Sequence, residues 1–250
     1  MARNDFKKNH MIKLKNLTLL AVLLICSYGM AQDYPKSDPS NQGNWILNGD
    51  LSDEFEGDAL NKTRWHLQGD LCIGTPGCRG GLYFNNFKGR WPAQFTPDNA
   101  WVEGGKLILE TRWEPDFNFL NECAPAGQPQ YCYGKDSSGN PLPITTAGVN
   151  TFKEFTYGYM EIYSKAADAE ITSSFWTIGG GGGEIDMFEM FGKYENAGRK
   201  HKEKELKFNM IEWNTGFEPR FDTFIKTDWR VADDFHVYGY EWDDTSISVY

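Results

Sequence analysis

The sequence predicts an all-β sandwich. Three observations carry that expectation. The segments NAWVEGGKLILETRW, YGYMEIYSK, ITSSFWTI, EIDMFEMF, LKFNMIEW, FHVYGYEW and SISVY are short, rich in aromatic or β-branched residues, and bounded by Gly, Pro, Asn or Asp. No segment sustains a 3.6-residue period, so helices should be few. Aromatic residues make up 15% of the 250, with nine Trp and twelve Tyr, more than a core needs, so some should line a binding surface. A chain of this length suits one large domain, and it contains no internal repeat.

The N-terminus reads as an export signal over residues 1–31. Lys7, Lys8, Lys13 and Lys15 precede the apolar run LTLLAVLLICSYGMA, and Gly29 and Ala31 set a cut before Gln32. The run is too short to span a membrane. Met11 is an alternative start. Residues 1–31 hold five basic residues and one acid, so their removal takes the net charge from −10 to −14. That balance argues against nucleic acid or an anionic membrane as partner. The expectation is a monomer outside the cytoplasm.

Residues 32–44 are polar and without period, which predicts a tether leading into a domain over residues 45–250. Four cysteines remain beyond the leader. The short separations favour Cys72–Cys78 and Cys123–Cys132 as local bridges, although three connectivities are open. Zinc is disfavoured because there is no C-x-x-C pair and no His nearby. From Glu114 to Pro143 the chain is long, irregular and rich in Pro and Gly, the composition of a functional or mobile loop. The final SISVY reads as a strand begun without a turn to follow, so the C-terminus is expected to be truncated.

The segment GGGGGEIDMFEMFG, Gly179 to Gly192, carries the chemistry. On a strand, residues two apart share a face, so Glu184 and Asp186 point the same way. Glu189 is five positions from Glu184 and would face away in a regular pleat. One β-bulge between Asp186 and Glu189 restores the parity. Two carboxyl groups roughly 5–5.5 Å apart are what retaining cleavage of a glycosidic bond requires. Crowded acids do not all ionise together, so one is expected to keep a proton near neutral pH. Taken alone, three acids in six residues fit a solvated strand face equally well. A calcium loop has a different spacing, and a phosphate loop needs a Gly-Lys-Ser/Thr that is missing.

GEIDMFE resembles the E-x-D-x-x-E signature of glycoside hydrolase family 16. LSDEFEGDALNKTRW, FTYGYMEIYSKAADAEITSSFWTIG and FHVYGYEWDDTSISVY resemble other segments of that family in the same order, from Leu51 to Tyr250. The resemblance implies a jelly-roll β-sandwich of two curved antiparallel sheets with a concave substrate cleft. It implies Glu184 as nucleophile, Glu189 as acid/base and Asp186 as their electrostatic partner. It implies no cofactor for catalysis, and a structural Ca²⁺ held partly by C-terminal residues. KGRWPAQFTPDNAWVEGGKLIL and SSFW resemble members that cut red-algal galactans, the agarases and porphyranases, so the expected substrate is an agar-type galactan cleaved at β-1,4 linkages. Laminarinase-like cleavage of 1,3-glucan and a non-catalytic galactan-binding protein are the alternatives.

Two positions depart from the family. Tyr163 stands where the family usually has Arg. Asn209, Glu212 and Trp213 occupy the strand in which many galactanases carry a His. Trp176, eight residues before Glu184 across the glycine hairpin, is a candidate for stacking under a sugar ring. Trp91, Arg90, Trp213 and Glu212 are further candidate sugar contacts. Trp65, Trp101 and Trp242 are assigned to the core. The basic run RKHKEKELK, Arg199 to Lys207, reads as a solvated loop, with contact to a sulfate ester as the sharper option.

Overall fold

The computed structural model describes residues 34–69, 87–125, 131–179, 181–215 and 220–250. The leader and the Cys72–Cys78 pair lie outside them. The described residues fall into two compact units, one within residues 47–156 and one joining residues 34–46 to 157–250. Among the described residues regular structure is nearly all β. The helices are short 3-10 turns at Pro97–Asn99, Ala197–Lys204 and Trp213–Thr215. None is long and apolar enough to cross a membrane.

The unit of residues 47–156 is built from short strands: β1 Trp65–Leu67, β2 Gln94–Phe95, β3 Ala100–Val102, β4 Leu107–Leu109, β5 Arg112–Trp113, β6 Ile144–Thr146 and β7 Val149–Thr151. β1 pairs with β7 and β3 with β4, both antiparallel. Gly104 and Gly105 turn the β3–β4 hairpin at φ +58° and +70°, the double left-handed turn that matches strand twist. β6 pairs antiparallel with β5 and parallel with β2. A parallel pair needs a long crossover, and the irregular stretch after β5 supplies part of it. Cys123 and Cys132 are disulfide-bonded within that stretch, as expected, with Cα atoms 3.9 Å apart. Asn99 and Thr145 are fully buried, and the Asn99 amide donates to the Thr145 hydroxyl at 2.9 Å.

The second unit holds the longer strands: β8 Gly158–Ser164, β9 Thr172–Ile178, β10 Gly183–Phe191, β11 Glu205–Glu212, β12 Arg220–Lys226, β13 His236–Trp242 and β14 Ile247–Val249. Two antiparallel sheets result, in the orders β12-β11-β10-β9 and β14-β13-β8. The core combines residues of both sheets. Phe188, Met190 and Leu206 pack with Tyr238, Val231 and Ala166, and Met187 and Phe208 pack with Tyr240. On β13 the inward positions are Tyr238, Tyr240 and Trp242, so Trp242 joins the core as predicted. Between them Gly239 faces outward, where a Cβ would stand 2.2 Å from the Tyr159 hydroxyl. Arg230 ties loop ends together by ion pairs to Glu203, Asp168 and Asp233 and a 2.8 Å bond to the Gly192 carbonyl.

Two contacts involve the described part of the predicted tether and one involves the residue that follows it. Pro35 is buried, the Lys36 amide donates to Glu161 at 2.9 Å, and the Trp45 ring lies 6.1 Å from Tyr159. Tyr163 is 64% exposed on the outer side of β8 and leans on Phe235, 5.1 Å between rings.

Candidate active site

β10 carries the three acids, and its pairing breaks register where the parity argument places a bulge. From Asp186 to Phe188, β10 advances two residues while β9 advances one, from Trp176 to Phe175. From Asp186 to Glu189, β10 advances three while β11 advances two, from Asn209 to Lys207. The extra residue lets Met187 and Phe188, consecutive in sequence, both enter the core at 4% and 2% exposure. Glu189 returns to the face of Glu184 and Asp186. The bulge arises because four apolar side chains, Ile185, Met187, Phe188 and Met190, must all face inward. Regular alternation with Ile185 and Met187 inward would force Phe188 and Met190 out and Glu189 in.

Cross-strand pairing then defines the surface around the acids, since residues directly opposite share a face. Asp186 lies between Trp176 and Asn209, Glu189 between Ser174 and Lys207, and Glu184 between Ile178 and Ile211. One strand further, Asn209 faces Asp222 and Lys207 faces Phe224.

Each acid has its own partner. The Trp213 indole N–H donates to Glu184 Oε2 at 2.7 Å. The Asn209 amide donates to Asp186 Oδ2 at 3.0 Å. The Lys207 ammonium lies 3.2 Å from Glu189 Oε2. Asp186 is only 5% exposed. Burial is the main cause of its carboxyl being pushed up from 3.8 to about 7, followed by the charge of Glu184; Glu189 adds a smaller push and a hydrogen bond to Glu184 favours the proton, against the opposing bond from Asn209. A protonated Asp186 donates to Glu184, leaving Glu184 an acceptor from two sides.

The glycine hairpin delivers Trp213 to its place. The Gly179 amide donates to the Gly183 carbonyl at 2.8 Å, and the Trp213 amide donates to the Gly182 carbonyl at 2.9 Å. Asn214 donates through its side chain to the Gly181 carbonyl. Gly182 sits at φ +89°, and a Cβ there would meet the Asn214 amide at 2.7 Å. A residue with a side chain fits neither the backbone nor the space.

The other predicted contacts are placed as follows. Trp176 stands on the acid face opposite Asp186. Glu212 does not share the parity of Asn209 and Lys207; its carboxylate accepts from the Asn214 backbone N–H at 2.9 Å at the end of β11. Arg90 and Trp91 belong to the other unit. Arg90 is exposed, and the Trp91 ring packs on Tyr133 with centroids 5.6 Å apart. Lys207 was read only as part of a basic run; its position opposite Glu189 depends on a register that composition does not reveal. The rest of the run is not a uniformly solvated loop: Glu203 is buried against Arg230, and the Lys204 ammonium donates to the Asp228 carbonyl at 2.8 Å. Among the described residues no cluster of three or more His, Cys, Asp or Glu is placed to hold a metal ion.

A β-sandwich with this carboxylate row and the matching family model define the class as the glycoside hydrolases. The chain belongs to glycoside hydrolase family 16: the model described as "Beta-porphyranase A-D, GH16 domain" matches residues 45–250. Beta-porphyranase B of Zobellia galactanivorans is 25% identical over 253 residues, covering 92% of this chain and 75% of the relative. Beta-porphyranase B of Phocaeicola plebeius is 27% identical, covering 88% and 70%. The crystal structure of porphyranase B from Zobellia galactanivorans superposes with a TM-score of 0.60 at 23% identity, covering 89% of this chain and 78% of that one. The fold is therefore that of the family 16 jelly rolls.

Proposed function

We propose that this domain is an exported, endo-acting, retaining hydrolase of agar-type red-algal galactan, cutting β-1,4 linkages, with porphyran the first substrate to test. The single observation that carries the chemistry is the bulge that sets Glu184 and Glu189 on one face. The porphyranases among its relatives favour the galactan over a 1,3-glucan. In this reading Glu184 attacks the anomeric carbon while Glu189 gives a proton to the glycosidic oxygen. The glycosidic bond breaks and a glycosyl ester forms on Glu184. Glu189, now a carboxylate, then takes a proton from water as that water opens the ester with net retention. Trp213 and Asp186 hold the Glu184 carboxylate in line for attack. Trp176 offers a flat apolar surface beside the reacting sugar.

The test is reducing-end release from porphyran, agarose, carrageenan and laminarin, with the anomer of the first product read by NMR. Porphyran or agarose should give products of initially retained configuration. Glu184→Gln and Glu189→Gln should each lose at least ~10²-fold in rate, the scale of a missing nucleophile or acid/base group. Unchanged rates in both variants would move the site elsewhere, and activity confined to laminarin would replace the galactan with a 1,3-glucan.

A further inference from the structure

The acid-bearing face carries an aromatic side chain that the chemistry above leaves unused. Phe224 pairs with Lys207, which pairs with Glu189, so all three share one face. Its neighbour Ile225 packs against the core on the other face. Phe224 is 48% exposed, a large apolar ring presented where a hydrophobic core makes no demand for it. Two strand spacings separate it from Glu189, about 10 Å. The ammonium of Lys202, on the 3-10 helix that leads into β11, sits 5.5 Å from the centre of this ring. Among the described residues Lys202 forms no ion pair, whereas Lys207 is engaged by Glu189 and Lys204 by a backbone carbonyl.

From this juxtaposition we infer that Phe224 and Lys202 form an outer subsite that takes a sugar bearing a sulfate ester. The ring packs on the CH face of the sugar and the ammonium meets the sulfate. This rests on the galactan reading above and adds the substituent that the site selects. The two residues divide the task. A pyranose CH face is apolar and suits Phe224 whether or not the sugar is sulfated. Only the sulfate gives Lys202 a full opposite charge in place of a ring quadrupole. Asp222 lies next along the same face of β12 and repels an anion, so the sulfate is steered to the Lys202 end of the strand.

The test separates binding from catalysis. Full-length Glu184→Gln protein is run by affinity electrophoresis through porphyran and through the same galactan after desulfation, alone and with Phe224→Ala, Phe224→Trp or Lys202→Met added. Phe224→Ala should weaken retardation about threefold to tenfold in both gels, and Phe224→Trp should keep it. Lys202→Met should weaken it about threefold in the sulfated gel only, and ~0.5 M NaCl should erase that difference. Equal loss in both gels for Lys202→Met would overturn the sulfate assignment, and no loss for Phe224→Ala would overturn the subsite. No retardation of the parent protein by either galactan would instead overturn the galactan reading itself.

Discussion

Replacing Asp186 by Asn removes one charge from a face that crowds three carboxylates while keeping a side chain that can donate to Glu184. The Asp186 carboxyl is pushed up to about 7 by burial and by Glu184, above the ~3.9 of an unfolded Asp. The folded state therefore holds this proton more tightly, and the contribution favours folding fully below pH ~4. It is lost as pH rises from there through 7. Asp186→Asn should consequently raise the melting temperature at pH 8, by the equivalent of about 1–3 kcal/mol, and the gain should vanish near pH 4. Activity should fall at the same time. A melting temperature that drops equally at both pH values would show that Asp186 is ionised and well paired. Trp213 was read from sequence as a candidate sugar contact, and its indole also donates to Glu184 at 2.7 Å. That role depends on where the chain folds back after β11, which local sequence does not encode. A hydrogen bond to a charged group contributes about 1.5–3 kcal/mol. Trp213→Phe should therefore lower kcat roughly tenfold or more with KM little changed. A rise in KM at constant kcat would return Trp213 to the substrate wall.

At the scale of elements, the β10 bulge was legible because the sequence contradicts itself without it. Acids at an odd spacing and two adjacent inward apolar residues, Met187 and Phe188, cannot both fit a regular pleat. β12 was not legible. As the described edge of its sheet it exposes Phe221, Asp222, Thr223 and Phe224 alike, so FDTF carries no alternation to read. Phe224 escaped notice for the same reason. The glycine run was read as a hairpin, and its tie to the turn at Trp213–Thr215 gives it a second requirement. Gly182→Ala must adopt φ +89° and displace Asn214. Left-handed backbone costs a residue with a Cβ about 1–2 kcal/mol, so the melting temperature should fall by several degrees. Since the same turn carries Trp213, kcat should fall beyond what lost stability explains when both are measured at 20 °C. A destabilised variant with wild-type kcat would uncouple the hairpin from Glu184.

For the molecule as a whole, the fold class was readable because β-periodicity is local, whereas the partition into two units is not a local property. The parallel β2–β6 pairing joins residues some fifty apart in sequence, Gln94 with Thr145 and Phe95 with Thr146, and no turn signal announces it. The two units differ in how they are built. The unit of residues 47–156 relies on strands of two or three residues and a bridged irregular stretch. The other stacks β9 to β12, each seven to nine residues long, over a core in which Met190 and Val231 are 0% exposed and Tyr240 1%. Local opening needs less free energy where few apolar contacts and few ladder bonds must break together. In hydrogen exchange followed by mass spectrometry, peptides within 183–212 should therefore stay protected longest, and peptides within 144–151 should exchange orders of magnitude sooner. Placing the acids on an interior strand of this sheet holds them in fixed geometry without help from a ligand, as a site built on preorganised charge requires. Exchange of β10 at the rate of β6 and β7 would remove that rigidity. The alignment of Glu184 and Glu189 would then have to come from bound substrate rather than from the sheet.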